Sequence, residues 1–238
     1  MILFYVRHGD PIYNPDYLTE LGKKQAEALV SRMKECNPDK IYASSSNRAI
    51  MTAQPTVKAL NKEIEILDWC NEGYAWRDLS IKEDDGSITW CFYHSKMKKI
   101  LASNEVRKLD KLWYDHPAFD EYSFKSGYKR IHSETEAFML SLGYKHDDEN
   151  NGYIAIKPNS NRIALFAHQV FCLTFLSCLL DIPFPQMTLN FDMSHSNVTT
   201  IYFDENEKFV KPKVLQMSND SHLFAAGIPT NYNNIYHF

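Results

Sequence analysis

Arg7, His8 and Gly9 are the first residues in this chain whose types could do chemistry together. Arginine's planar fork of donors can hold two phosphate oxygens at once. A neighbouring histidine can act as nucleophile or proton carrier near neutral pH. Glycine lets the backbone turn sharply and lets a ligand approach. Three more reactive residues follow at a distance: Arg48 behind three serines, Glu72, and His168 within Ala167-His168-Gln169. Two arginines, two histidines and one carboxylic acid suit phosphoryl transfer through a histidine without a metal. The cations and donors neutralise the phosphoryl group, one histidine attacks, and the acid protonates the departing oxygen.

Each residue also has a plainer reading. Arg48 could be a solvated side chain in a helix's first turn. That end of a helix is already positive and disfavours a cation unless an anion sits beside it. His168 could be a core histidine bonded to a carbonyl. Glu72 has two neighbours, Asp78 and Glu83, that could serve as the acid instead. Asn14 reads equally as a turn residue before Pro15. Arg77, Arg107, Arg130 and His132 could reach a substrate from the middle of the chain, although each reads more simply as solvent-exposed.

The elements around these residues place them at strand ends. Ile2 to Val6 is a β-prone run and reads as a buried strand ending at Arg7. Thr19 looks like the N-cap of a helix whose one face carries Gly22, Ala26, Leu29, Val30 and Met33. Lys40 to Ala43 reads as the second strand, with Ser44, Ser45 and Ser46 as turn and cap residues. In the helix that follows, Pro55 should cause a kink or a break. Glu65 to Leu67 is a short third strand. Arg162 to Phe166 is a strong strand, and the helix Val170–Leu180 is apolar nearly all round. Val198–Phe203 and Phe209–Leu215 read as strands, joined as a hairpin across Asp204 to Asn206.

The alternation implies an α/β fold, a three-layer α/β/α sandwich with a mainly parallel sheet. In such sheets the carboxyl ends of the strands converge on ligands. Residues 73–160 break the alternation. They are expected to form a largely helical insertion, or cap, within a single 1–238 domain. Helical pieces are expected near Phe92–Ala102, Val106–Tyr114 and Ser133–Leu142. The insertion's many aromatics, Trp113, Phe119 and Phe124 among them, are expected to form its small core.

Composition narrows the function classes. The chain has 238 residues, 44% of them hydrophobic and 13% aromatic, enough for a substantial core. A net charge of -4 with no Lys/Arg run argues against nucleic acid as a partner. The first apolar stretch is too short for a secretory signal, and no stretch is long enough to span a bilayer. The five cysteines are scattered with no Cys-x-x-Cys pair, as expected of reduced thiols in a cytoplasmic protein without a structural zinc site. Oligomeric state stays open, a homodimer included.

The ordered set Arg7-His8-Gly9, Asn14, Leu18-Thr19-Glu20-Leu21-Gly22, Ser45-x-x-Arg48-Ala49 with Thr52-Ala53, Glu72, and Ala167-His168 resembles branch 1 of the histidine phosphatase (phosphoglycerate mutase-like) superfamily. The resemblance covers residues 1–72 and about 160–203. It implies a phosphohistidine on His8, with Arg7 and Arg48 as phosphate clamps and His168 as the second phosphate-binding histidine. It makes Glu72 the acid and Asn14 a phosphate ligand, with no metal and no cofactor. Two departures stand out. Asp10-Pro11 follows Gly9 where relatives often carry a hydroxyl residue, and Gln169 follows His168 where most have glycine. Gln169 could add a donor or narrow the pocket. The implied activity is hydrolysis of a small phosphomonoester, a phosphorylated metabolite. The alternatives are a cofactor-dependent phosphoglycerate mutase-type isomerase and a non-catalytic protein that binds a phosphorylated ligand. Against the mutase, the run Glu72-Gly73-Tyr74-Ala75-Trp76 lacks the cations of the mutases' Glu-Arg-His-Tyr-Gly motif.

Overall fold

The structure, a computed structural model, describes residues 1–234 and 236. The strands in chain order are β1 (Ile2–Arg7), β2 (Pro11–Ile12), β3 (Tyr17–Leu18), β4 (Lys40–Ser44), β5 (Ile64–Leu67), β6 (Ser80–Lys82), β7 (Ile88–Trp90), β8 (Tyr144–Asp147), β9 (Gly152–Ala155), β10 (Arg162–Ala167), β11 (Val198–Tyr202), β12 (Phe209–Val210) and β13 (Lys213–Asn219). The α-helices are α1 (Glu20–Cys36), α2 (Asn47–Leu60), α3 (Glu72–Leu79), α4 (Ser95–Leu101), α5 (Asn104–Leu109), α6 (Phe124–Ser141), α7 (Gln169–Leu180), α8 (Phe184–Asn190) and α9 (Ser221–Ala225). Among the described residues no helix is long and apolar enough to cross a membrane.

The chain divides into two compact units. The first gathers Met1–Asn71, Pro158–Gln169 and the described residues from Met193 onward. Its architecture is α/β around a six-stranded sheet in the order β13-β11-β1-β10-β4-β5. β1, β10, β4 and β5 run parallel, and β11 and β13 add antiparallel strands at one edge. Leu3 to Val6 are all buried, as an inner parallel strand covered on both faces requires. α1 and α2 pack on each other, and α2 also packs on β4 and β10. The core there joins Phe4, Val6, Leu29, Met33, Ile41 and Phe166.

The second unit is Glu72–Lys157 with Val170–Asp192, so it takes in α8 and nearly all of α7 besides the helical middle of the chain. It carries two small antiparallel hairpins, β6–β7 and β8–β9. Its core is aromatic. Trp113 is fully buried, stacks on Phe184 at 4.7 Å between ring centroids, and meets Phe119, Phe124 and Tyr128.

Several expected boundaries move. α2 runs unbroken through Pro55. The ring removes only the amide that would reach the Met51 carbonyl. The buried face of Ala49, Thr52, Ala53 and Thr56 keeps the helix in place. The helix expected at Ser133–Leu142 begins instead at Phe124. Gly127, a helix-weakening residue in isolation, is needed there: a Cβ would come within 2.3 Å of the Asp78 Cβ. The Val106–Tyr114 helix is α5 followed by a 3-10 turn over Asp110–Asp115. α4 starts at Ser95 rather than Phe92, because the His94 ring caps it by accepting from the Met97 amide at 3.2 Å. The strand expected over Phe209–Leu215 is split around Pro212 into β12 and β13, and β13 pairs with β11.

Candidate active site

Three parallel strands deliver the first unit's reactive residues from their carboxyl ends. β1 and β10 pair in register, with Arg7 opposite Ala167. The next residue on each strand is a histidine, and the His8 amide donates to the Ala167 carbonyl at 2.9 Å. The His8 and His168 rings therefore stand 5.2 Å apart at 61°. β4 ends on Ser44, whose hydroxyl lies 2.8 Å from His168 Nε2. Behind them the Tyr5 hydroxyl donates to the His168 carbonyl at 2.8 Å and accepts from the His168 amide at 3.0 Å. That pair of bonds locks the turn that carries the second histidine.

The protonation pattern is asymmetric. His8 Nδ1 lies 2.7 Å from its neighbour's carbonyl, Gly9 O, so that nitrogen holds the proton and Nε2 keeps its lone pair. Burial, then the charges of His168, Arg48 and Arg7, push the His8 pKa well below the ordinary histidine value. The same holds for His168, through burial, Arg48 and Arg7. Both imidazoles are neutral at physiological pH. A neutral imidazole with a lone pair on Nε2 is a nucleophile.

Gly9 has a role that its position in the sequence does not suggest. A Cβ at Gly9 would lie 2.6 Å from the Gly22 carbonyl, and one at Gly22 would lie 2.2 Å from the Asp10 carbonyl. The two glycines let the end of β1 cross the start of α1 in contact. Thr19 caps α1 as expected, accepting from the Gly22 amide at 3.0 Å, and its hydroxyl donates to Asp10 Oδ2 at 2.6 Å. Thr52 closes the arrangement by accepting from the Gly9 amide at 3.0 Å and donating to the Arg48 carbonyl at 2.8 Å.

The two arginines are held by groups that the sequence did not single out. Arg48 donates to Asp16 Oδ1 at 2.7 Å and lies over the Tyr13 ring. Asp16 Oδ2 accepts from the Asn47 amide at 2.8 Å and the Ser46 hydroxyl at 3.0 Å. Asp16, not Ser46, thus caps α2. Arg7 is fully buried and donates to the Met193 carbonyl, to His195 Nε2 at 2.8 Å and to Asn233 Oδ1 at 2.6 Å. Burial, followed by the Arg7 charge, lowers the His195 pKa to about 3, so this third histidine is a neutral acceptor. Asn233 also donates to Gln169 Oε1 at 3.3 Å, and Asn231 donates to Asp10 Oδ1 at 2.9 Å. The segment around Asn231–Asn233 has no periodicity and no motif to reveal it beforehand.

Asn14 is exposed on the β2–β3 turn, and it is Asp16 from that turn that meets Arg48. In the second unit Glu72 opens α3, and its Oε1 accepts from the Val170 amide at 3.1 Å. The rival acids are engaged otherwise. Asp78 is buried and pairs with Arg77 at 2.7 Å and Arg130 at 3.3 Å. Glu83 faces the His94 ring at 3.3 Å. Arg107 lines a separate cavity against α8.

Residues 3–95 match the family model of the histidine phosphatase superfamily, branch 1. No curated protein matches the sequence. Solved structures that share the fold at low identity include the following three. Phosphoserine phosphatase from Entamoeba histolytica, in complex with 3-phosphoglyceric acid, has a TM-score of 0.59 at 19% identity, covering 93% of this chain and 98% of that one. A mycobacterial glucosyl-3-phosphoglycerate phosphatase bound to VO3 has a TM-score of 0.57 at 16% identity, covering 91% and 98%. The alpha-ribazole phosphatase of Shigella flexneri has a TM-score of 0.55 at 20% identity, covering 92% and 97%.

Proposed function

On the match of residues 3–95 to the histidine phosphatase superfamily, we propose that this chain is a phosphomonoesterase that works through a phosphohistidine on His8. The observation that carries the reading is the His8 ring itself. It is buried, neutral, and fixed through Nδ1 to a carbonyl so that Nε2 is left to attack. In the first step the Nε2–P bond forms and the ester P–O bond breaks, with Glu72 giving a proton to the departing alkoxide. In the second step water attacks phosphorus, Glu72 takes its proton, and the P–N bond breaks to release inorganic phosphate. Arg7, Arg48 and His168 hold the non-bridging oxygens, the charge work that a metal does elsewhere. Gln169, buried and bonded to the Asn233 that also holds Arg7, is the further phosphate ligand of this reading.

Glu72 is assigned the acid because of the residue that precedes it and the amide it holds. Asn71, just before it, donates to the Ser45 hydroxyl at 2.9 Å. The amide that Glu72 holds belongs to Val170, two residues beyond His168 in the chain. Hydrolysis is favoured over mutase chemistry by the run after Glu72. Its first cation, Arg77, is paired with Asp78. The structural neighbours named above are all called phosphatases, which supports the same choice.

The test is a screen of phosphorylated metabolites for phosphate release, followed by trapping of the enzyme on its best substrate. Acid-labile phosphoryl-enzyme should form on the parent protein. His8→Ala should lose that species and turnover together. Full turnover in that variant would end the mechanism. Interconversion of 2- and 3-phosphoglycerate that outpaced phosphate release would replace the phosphatase reading with the mutase one. Tight phosphate binding with no phosphoryl-enzyme would leave a binding protein.

A further inference from the structure

We infer that the second unit carries a binding site for a zinc-class divalent cation, built from His132, Glu136, His146 and Asp148. None of these residues takes part in the phosphoryl transfer proposed above. One ligand atom from each lies within 4.8 Å of all the others. His132 and Glu136 are four residues apart on α6 and so share one helix face. His146 and Asp148 come from β8 and the turn after it.

The separations fit a shared cation better than direct ion pairs. Charge-assisted N–H···O contacts shorten to about 2.7–2.9 Å. Here His146 Nδ1 stands 3.2 Å from Glu136 Oε1 and 3.2 Å from Asp148 Oδ1, and His132 Nδ1 stands 3.7 Å from Glu136 Oε2. A tetrahedron with zinc–ligand arms near 2.1 Å has edges of about 3.4 Å. Asp148 is an exposed side chain on a turn, so it can shift at low cost to complete the set.

The surroundings of His146 make the second argument. Its ring is buried, and Nε2 lies 3.1 Å from Asp181 Oδ1. Asp181 is itself held by Lys111 at 2.5 Å. A carboxylate that fixes the far nitrogen of an imidazole sets its tautomer and turns the other nitrogen toward a metal, as the second shell of a metal site does. In this ring that other nitrogen, Nδ1, is the one facing Glu136 and Asp148. His132, Asp148 and Asp181 also line a cavity of about 410 Å³, so the ion would have a route in from solvent. Two imidazoles with two carboxylates select zinc and its neighbours over magnesium or calcium, which take oxygen ligands. The bound ion would tie α6 to the β8–β9 hairpin.

The test uses the full chain, stripped with a strong chelator, dialysed, and titrated with zinc against a chromophoric competitor. One equivalent should bind with a Kd below about 1 µM and raise the melting temperature. His132→Ala and Asp148→Asn, both at accessible positions, should each weaken binding at least about tenfold. His8→Ala should leave it unchanged, and phosphate release by the parent should survive the chelator. Binding weaker than about 10 µM, or equal in the parent and both variants, would overturn the site. So would zinc lost in His8→Ala, which would move the ion to the proposed phosphoryl pocket. Failure of the phosphatase reading would show instead as missing phosphoryl-enzyme, with the zinc titration unaffected.

Discussion

Asp16 sits where a competitor for phosphate would sit. Its carboxylate caps α2 through the Asn47 amide and holds Arg48 at 2.7 Å. In the proposed mechanism a bound phosphoryl group must share or displace that contact. Asp16→Asn keeps an acceptor for the cap and removes the charge. Inhibition by vanadate should then tighten several-fold, while stability falls by about 1 kcal/mol as the anion at the helix N-terminus is lost. Inhibition titrations and denaturant midpoints read the two effects separately, and an unchanged vanadate affinity would remove Asp16 from the competition. As the proposed acid, Glu72 should matter in proportion to how poor the leaving group is, because an alkoxide needs a proton and an aryl oxide hardly does. Glu72→Gln should cut hydrolysis of an alkyl phosphate far more than that of an activated aryl phosphate. Equal losses on both would give Glu72 a structural role, its bond to the Val170 amide being the obvious one.

The crossing of β1 and α1 depends on two absent side chains. Gly22→Ala would drive a methyl group to 2.2 Å from the Asp10 carbonyl, which is backbone and cannot swing aside. The higher helix propensity of alanine, worth about 1 kcal/mol, does not offset such a clash. A net loss of about 2–3 kcal/mol should appear in the urea midpoint, together with reduced turnover because Asp10 adjoins Gly9. A variant as stable as the parent would show that the contact relaxes freely. β1, β4, β10 and the Thr19 cap were legible in the sequence, because each rests on a short apolar run or a local cap. The placement of His8 and His168 was legible with them, since each directly follows one of those runs, and that of Arg48 from the serines before its helix. Asp16, His195 and Asn233 were not, because long-range folding alone brings their loops to Arg48 and Arg7. Pro55 misled for a related reason. It weakens a helix locally, and it is tolerated because packing decides there.

Acid should destabilise the folded chain through its buried histidines. The pKa values of His8 and His168 are held well below the ordinary value, that of His195 lies at about 3, and burial followed by the Arg32 charge lowers that of His222 to about 4. In the unfolded chain these groups take up protons near pH 6.5. Below that pH the unfolded state binds protons that the folded state refuses. Stability is therefore intact above about pH 6.5 and is lost as the pH falls toward the folded values, at about 1.4 kcal/mol per pH unit for each such proton. His146 runs the other way. Its bond to Asp181 raises its pKa, so its contribution is full at low pH and fades as the pH rises through the folded value. Four lowered groups outweigh one raised group, and melting temperatures should fall steeply from pH 7 to pH 5. His222→Gln should flatten that slope by about one proton. A flat profile in the parent would mean that these rings are protonated in the folded state.

The in-register pairing of β1 with β10 has an operational consequence. His8 and His168 extend two central strands of the sheet, and the Tyr5 hydroxyl fastens the second of them. Core strands open only when the whole domain opens, whereas loops open far more often. The spacing of the two rings therefore survives warming until the sheet itself is lost. With an activated aryl phosphate, which hardly needs Glu72, heat inactivation of the proposed first step should then coincide with loss of the sheet, so residual activity on that substrate doubles as a measure of the fraction still folded.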